Sequence, residues 1–177
     1  MPSALAFVYP GCEPVELIGT VDVLRRCGVQ VTLYAHTSIV EIGHGITIKV
    51  DTTEKPTQMF DCLILPGGMG WKNLQNDEYA KELATHYIKE NVFVCAICAA
   101  PAVALGHWGL IKGKHATCYP GMEKMGLDME KFSEERVVVD GKLITARGPG
   151  VSLEFGLQIA KSLGCNSEDV KKGMLVK

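Results

Sequence analysis

Cys98, Glu16 and the Gly67-Gly68 pair are the residues of this chain whose types and settings could do chemistry together. Residues 92–97, Val-Phe-Val-Cys-Ala-Ile, form an apolar run that ends abruptly in Cys98, then Ala99, Ala100 and Pro101. Such a run reads as a buried strand, and a proline three residues past the cysteine is placed to open a helix. A side chain at so sharp a strand-to-helix bend is lifted out of the sheet, as in the nucleophile elbow built around serine. The positive end of the following helix favours thiolate there, so we expect a lowered thiol pKa and a nucleophile. A free cysteine also packs as a small hydrophobe, and this segment alone does not separate the two.

Attack of a thiolate on a carbonyl creates an oxyanion, which needs preorganised N–H donors. The amide of Ala99, next to the nucleophile, is one expected donor. The amide of Gly68 is the other, since a residue without Cβ allows close approach, although Gly67-Gly68 also reads as a plain strand-end turn. Glu16 has two possible roles. Ionised, it raises the thiol pKa; protonated by burial, it donates to the sulfur and serves as general acid and base. It equally suits the first turn of a helix, where a carboxylate complements the dipole.

Other patterns exclude chemistry. Cys95 and Cys98 match C-x-x-C, but three residues of strand span about 10 Å, too far for a disulfide, which makes Cys95 a core residue. His115-x-x-Cys118 lacks a second ligand pair for zinc. Residues 67–70, Gly-Gly-Met-Gly, fit neither a dinucleotide fingerprint nor a P-loop. We therefore expect no metal, no nucleotide and no other cofactor. The Arg147-Gly-Pro-Gly150 loop either binds an anion at a helix start or only turns the chain.

Apolar strands alternate with amphipathic helices along the chain. The expected fold class is α/β, a flavodoxin-like, Rossmann-like doubly wound and mostly parallel sheet sandwiched by helices, in one domain over residues 1–177. Strands are expected at 4–9, 29–36, 62–65, 92–97 and 115–119. Hairpins are expected at 39–50, on a sheet edge, and at 136–146 around Gly141. Helices are expected at 14–27, 76–90, 101–109 and 151–163, with a short terminal one capped by Ser167. In such a sheet ligands gather at the carboxyl ends of strands where the order reverses. The loops at 11–16, 66–68 and 98–100 all leave such ends, so a carboxylate, a glycine backbone and a thiol should converge.

Composition excludes several classes. With 18 basic and 20 acidic residues and no basic cluster, nucleic acid is not an expected partner. No apolar run approaches the ~20 residues of a membrane span. Seven cysteines, an odd number in apolar settings, do not make a disulfide framework, and a reducing cytoplasmic protein is expected.

Several segments occur together in the order of a known family: Glu13-Pro-Val-Glu16, residues 21–28 Val-Asp-Val-Leu-Arg-Arg-Cys-Gly, residues 63–68 Leu-Ile-Leu-Pro-Gly-Gly, residues 96–101 Ala-Ile-Cys-Ala-Ala-Pro, and Arg147-Gly-Pro-Gly150 followed by Glu154-Phe155. The chain resembles the ThiJ/PfpI superfamily from first strand to last helix, and within it the DJ-one branch, named for a Parkinson-disease-associated protein. The resemblance implies Cys98 as an oxidation-prone nucleophile, Glu16 as its protonated partner, and Gly68 and Ala99 as backbone donors. Glu13, Gly67, Tyr119 and Arg147 are candidate pocket residues. It also implies a homodimer packed partly through the first helix, and glutathione-independent glyoxalase or deglycase activity on small dicarbonyls or glycated proteins. An oxidative-stress sensor or chaperone working through a Cys98 sulfinate is the alternative. Many members carry a histidine where this chain has Tyr119, in Tyr119-Pro120. Tyrosine is a poor base near neutrality, and His115, about 13 Å back along the expected strand, cannot substitute. That departure disfavours a cysteine–histidine protease or amidase.

Overall fold

The computed structural model describes residues 1–126 and 131–177. Its strands are Ser3–Phe7 (β1), Gln30–Tyr34 (β2), Ile39–Glu41 (β3), Thr47–Lys49 (β4), Cys62–Leu65 (β5), Phe93–Ile97 (β6), His115–Ala116 (β7), Lys131–Phe132 (β8), Val137–Asp140 (β9) and Leu143–Ala146 (β10). The α-helices are Pro14–Arg26 (α1), Trp71–Gln75 (α2), Glu78–Lys89 (α3), Ser152–Ser162 (α4) and Ser167–Gly173 (α5). β1, β5 and β6 are buried along almost their whole length, as strands covered on both faces must be. They sit inside a six-stranded sheet of order β2-β1-β5-β6-β10-β9, parallel except for the β9–β10 hairpin. The doubly wound α/β class is the one expected.

The order reverses between β1 and β5. From β1 the chain first steps outward to β2, then returns to add β5 and β6 on the other side. The carboxyl ends of β1, β5 and β6 therefore open onto the switch-point crevice. α1, started by Pro14 at its first turn and closed by Gly28 at φ +83°, returns the chain from β1 to β2. α1 lies close against α4. Gly156 makes that approach possible, since a Cβ there would stand 2.9 Å from the Cβ of Val23.

Several expected elements differ. The hairpin at 39–50 forms its own two-stranded sheet, and the chain just beyond it touches edge strand β2 through a bridge between Tyr34 and Thr52. The helix expected at 76–90 is α3, and a further short helix, α2, precedes it. Asp77 separates them, because its side chain accepts from the Ala80 N–H at 3.0 Å and caps α3. The strand expected at 115–119 is extended only over His115–Ala116, paired with β8 outside the main sheet. Beyond it the amides are taken elsewhere: Thr117 N–H by Thr145 Oγ1 at 2.9 Å, and Tyr119 N–H by Cys98 O at 2.7 Å. Asn166, not Ser167, caps α5, accepting from Asp169 N–H at 3.5 Å. The helix after Cys98 runs over Pro101–Gly106 and is wide, with His107 N–H reaching back to Ala102 O.

Candidate active site

Cys98 follows β6 directly and has φ +64°, in the left-handed region that a residue with a side chain seldom occupies. The conformation is held at both ends. Cys98 N–H donates to Ala146 O at 2.9 Å, and Cys98 O accepts from Tyr119 N–H at 2.7 Å. Ala99 O then accepts from Val103 N–H, which starts the helix at once. The bend expected from the sequence is thus present, with its strain concentrated on the cysteine. Cys98 is 9% exposed.

The β5 loop lies against it. A Cβ on Gly67 would fall 2.7 Å from Cys98 Cβ and 2.9 Å from Ala99 N, so only glycine lets the two loops meet. Gly68, at φ +116°, abuts the segment after β1, where a Cβ would fall 2.4 Å from Glu13 N. The amides of Gly68 and Ala99 both act on the Cys98 sulfur and favour its anion.

Glu16 enters from the first turn of α1 and is 1% exposed. Its Oε2 accepts from Gly67 N–H at 2.8 Å, and its Oε1 is buried with no partner at hydrogen-bond geometry. Glu16 and Cys98 are close enough for each to shift the titration of the other. Burial is the main cause of a Glu16 pKa raised to about 7, which the nearby Cys98 thiol and the Gly67 N–H only partly oppose. A carboxyl that stays protonated toward neutrality is what an unpartnered Oε1 beside a sulfur calls for. The thiol corrects an expectation. Burial, and then the Glu16 carboxylate, push Cys98 up rather than down, against the smaller opposing effect of the two amides. Glu16 and Cys98 titrate as a coupled pair, each shifting the other.

This arrangement has a stability consequence. A carboxyl raised from 4.5 to about 7 in the folded state favours folding fully below the unfolded value and loses that contribution as pH rises through the folded one. At 1.36 kcal/mol per unit the loss is about 3 kcal/mol. Urea titrations of wild type and Glu16→Gln at pH 4.5 and 8 should therefore diverge, the variant gaining on wild type by about that amount at the higher pH. Parallel behaviour at both would mean that Glu16 is not held neutral.

The remaining expected site residues fall in different places. Glu13 caps α1, with Oε1 accepting from Val15 N–H at 3.5 Å, and donates its own N–H to Gly67 O at 2.9 Å. Tyr119 sits next to the elbow through its backbone, and its side chain is half exposed. Arg147 is engaged elsewhere: it donates to Glu134 O at 3.0 Å, and its charge acts on Cys118. Among the described residues, the groups acting on the Cys98 thiol are Glu16 and the amides of Ala99 and Gly68, with no histidine. Cys95 is core, its sulfur 3.3 Å from that of Cys62.

Two residues escaped the sequence. Tyr9 is buried at the end of β1, and its hydroxyl lies 2.7 Å from both Pro66 O and Gly67 O, pinning the glycine turn. His44 reaches Glu13, with Nε2 3.3 Å from Oε2. Tyr9 could have been suspected from its place at a strand's carboxyl end; nothing local marks His44. Among the described residues no three His, Cys, Asp or Glu side chains come together as metal ligands would, and no helix is long and apolar enough to cross a membrane.

A parallel α/β sheet with a strained cysteine elbow facing a buried carboxyl defines the class. The chain belongs to the DJ-1/PfpI family, whose model matches residues 2–162. It is 38% identical over 159 residues to Protein DJ-1 homolog A of Arabidopsis thaliana, covering 86% of this chain and 41% of that protein. The chain thus spans about two fifths of that relative's length. It is 36% identical over 166 residues to a Caenorhabditis elegans protein named Glutathione-independent glyoxalase DJR-1.2, covering 91% of this chain and 88% of the relative. The crystal structure of Drosophila melanogaster DJ-1beta superposes with a TM-score of 0.93 at 36% identity, covering 99% of this chain and 98% of the other. A structure described as Toxoplasma gondii DJ-1, oxidized, superposes with a TM-score of 0.91 at 26% identity, covering 99% and 98%.

Proposed function

We propose that the protein is a cofactor-independent glyoxalase that converts methylglyoxal-type dicarbonyls to hydroxy acids, and that it removes their early adducts from proteins by the same chemistry. The observation that carries this is the pairing of Cys98, on its left-handed bend, with buried Glu16. The similarity to the C. elegans glyoxalase supports it. Glu16, whose pKa of about 7 makes its carboxylate available at neutrality, takes the thiol proton as the sulfur adds to the aldehyde carbon and passes it to the new oxygen, giving a hemithioacetal. Glu16 removes the C–H proton, and the amides of Gly68 and Ala99 hold the charge that develops on oxygen. The hydroxyl proton shifts to the neighbouring oxygen and Glu16 delivers its proton to the carbon that bears it, leaving a lactoyl thioester that water hydrolyses to lactate and the thiol. The sum is methylglyoxal plus water giving lactate plus a proton, with no external oxidant or reductant. The test is lactate formation from methylglyoxal without glutathione. A folded protein that makes none overturns the proposal.

A second reading rests on the same pocket. Two amides and a carboxyl surrounding a sulfur suit the oxygens of a sulfinate, and the similarity to an oxidized T. gondii structure supports it. Two equivalents of peroxide would each deliver one oxygen to Cys98 and leave as water. Intact mass after mild peroxide should show a two-oxygen adduct on wild type and none on Cys98→Ala; a multiply oxidised mixture would count against a sensor. We also place the protein in a reducing, cytoplasmic setting, supported by its seven free cysteines. We propose a homodimer through α1, supported by the exposed Val15 and Ile18 on that helix.

A further inference from the structure

The two glycine peptides that serve the site carry no side chain to fix their direction. One hydroxyl holds both from behind. β1 pairs with β5 with Ala6 beside Ile64, so three residues further on Tyr9 and Gly67 leave neighbouring strand ends together. Tyr9 is buried, and its O–H is shared between Pro66 O and Gly67 O, each at 2.7 Å. Pro66 O takes no other donor among the described residues, whereas Gly67 O also accepts from Glu13 N–H at 2.9 Å. A trans peptide is planar, with its C=O and N–H pointing opposite ways, and none of the described peptides is cis. Holding Pro66 O therefore turns the Gly67 N–H away from Tyr9, and that N–H reaches Glu16 Oε2 at 2.8 Å. Holding Gly67 O turns the Gly68 N–H away as well, and this N–H donates to no oxygen among the described residues. It is one of the two amides that act on the Cys98 sulfur, and Cys98 lies against the same turn. Burial holds the Tyr9 phenol well above its usual range, so it stays a donor at every working pH.

We propose that Tyr9 is a positioning residue that aims both the Gly67 N–H at Glu16 and the Gly68 N–H at the reacting centre, through the two peptides whose carbonyls it holds. The kinetic consequence rests on the glyoxalase reading; the consequence for Glu16 and the sulfur does not. Without the hydroxyl, two buried carbonyl oxygens converge on a space from which their shared donor is gone. The Pro66–Gly67 peptide turns to relieve this, which weakens the Gly67 N–H contact to Glu16. A carboxylate that loses a donor holds its proton to higher pH. The same movement swings the Gly68 N–H off the oxygen on which charge develops, a loss felt in the transition state rather than in substrate binding. Glu13 N–H still holds Gly67 O, so this second effect is a misalignment and not a removal. No covalent step passes through Tyr9, and its own proton stays on the ring oxygen.

Tyr9→Phe tests this, since phenylalanine keeps the ring and removes only the oxygen. Methylglyoxal turnover should show kcat lowered about tenfold or more, with KM changed by less than about twofold. Independently of turnover, the pH inflection near 7 in iodoacetamide alkylation of Cys98 should move upward by about half a unit or more. Tyr87→Phe is the control for a plain loss of stability. Tyr87 is equally buried, and its hydroxyl accepts from Phe60 N–H at 2.9 Å, at the other end of β5. That variant should unfold at lower urea yet keep the wild-type kcat and inflection. Replacing Tyr9 by para-aminophenylalanine, which returns an N–H donor to the same place, should restore both values. An unmoved inflection in Tyr9→Phe overturns the proposal, as does an unmoved kcat where wild type turns over. The same changes in Tyr87→Phe, or no restoration by the amino analogue, also overturn it. A shift confined to Tyr9→Phe and reversed by the analogue supports it even where wild type makes no lactate, an outcome that overturns the glyoxalase reading alone.

Discussion

Cys98→Ala is expected to bring methylglyoxal turnover down to that of buffer, and Glu16→Gln to lower kcat/KM by about 10²–10⁴-fold. The first removes the atom that forms the bond; the second removes the carboxyl beside it. Glutamine at 16 keeps an oxygen for the Gly67 N–H, which now meets Oε2 at 2.8 Å, so the pocket's shape survives while proton transfer does not. Iodoacetamide separates the roles. Cys98 in Glu16→Gln should still be alkylated, but without the dependence on pH near 7 that the coupled pair confers. The double variant should be no slower than Cys98→Ala, because residues acting as one unit are not additive. Lactate production retained by purified Cys98→Ala would remove the cysteine from the chemistry altogether.

Gly68→Ala is expected to damage fold and site together. The backbone is at φ +116°, and the new Cβ would stand 2.4 Å from Glu13 N, 2.6 Å from Gly11 O and 2.8 Å from the carbonyl carbon of Cys12. All three are main-chain atoms, which cannot rotate aside as a flexible side chain would. The loop must move, and with it the amide that faces the Cys98 sulfur. We expect a stability loss of about 3 kcal/mol or more from strain and overpacking. A further fall in kcat of about 10²–10³-fold should follow from the displaced donor. Gly173→Ala is the control, since no atom lies within 4 Å of its Cβ. Urea unfolding beside lactate formation reads both effects. A Gly68→Ala protein with wild-type stability and turnover would show that the two loops do not need their observed contact.

What the sequence by itself determined is what local chemistry encodes. An apolar β-branched run stopping at Cys98, followed by two alanines and Pro101, leaves the chain little choice but a strand that bends into a helix. Paired glycines at 67 and 68, at the end of another such strand, mark a place where backbone approaches backbone. The alternation of these runs with amphipathic helices implies a parallel sheet, and the rule for such sheets then brings the loops at 11–16, 66–68 and 98–100 to one end. Local chemistry was also enough to suspect a neutral Glu16, once burial was assumed.

Only the tertiary structure decided what depends on the sum of surroundings. The acidity of Cys98 is one case: a helix start argues for a thiolate, but burial and the Glu16 carboxyl outweigh it, and neither is visible from residues 92–101. The extent of the strand at 115–119 is another. Its pattern is extended, yet after Ala116 its amides are claimed by Thr145 and Cys98, partners distant along the chain. Tyr9 and His44 lie 57 and 31 residues from the groups they meet, Pro66 and Glu13, and no spacing rule reaches across such gaps. Hydrogen bonding and desolvation are settled by what is near in space, and proximity in space is what folding, not sequence order, supplies.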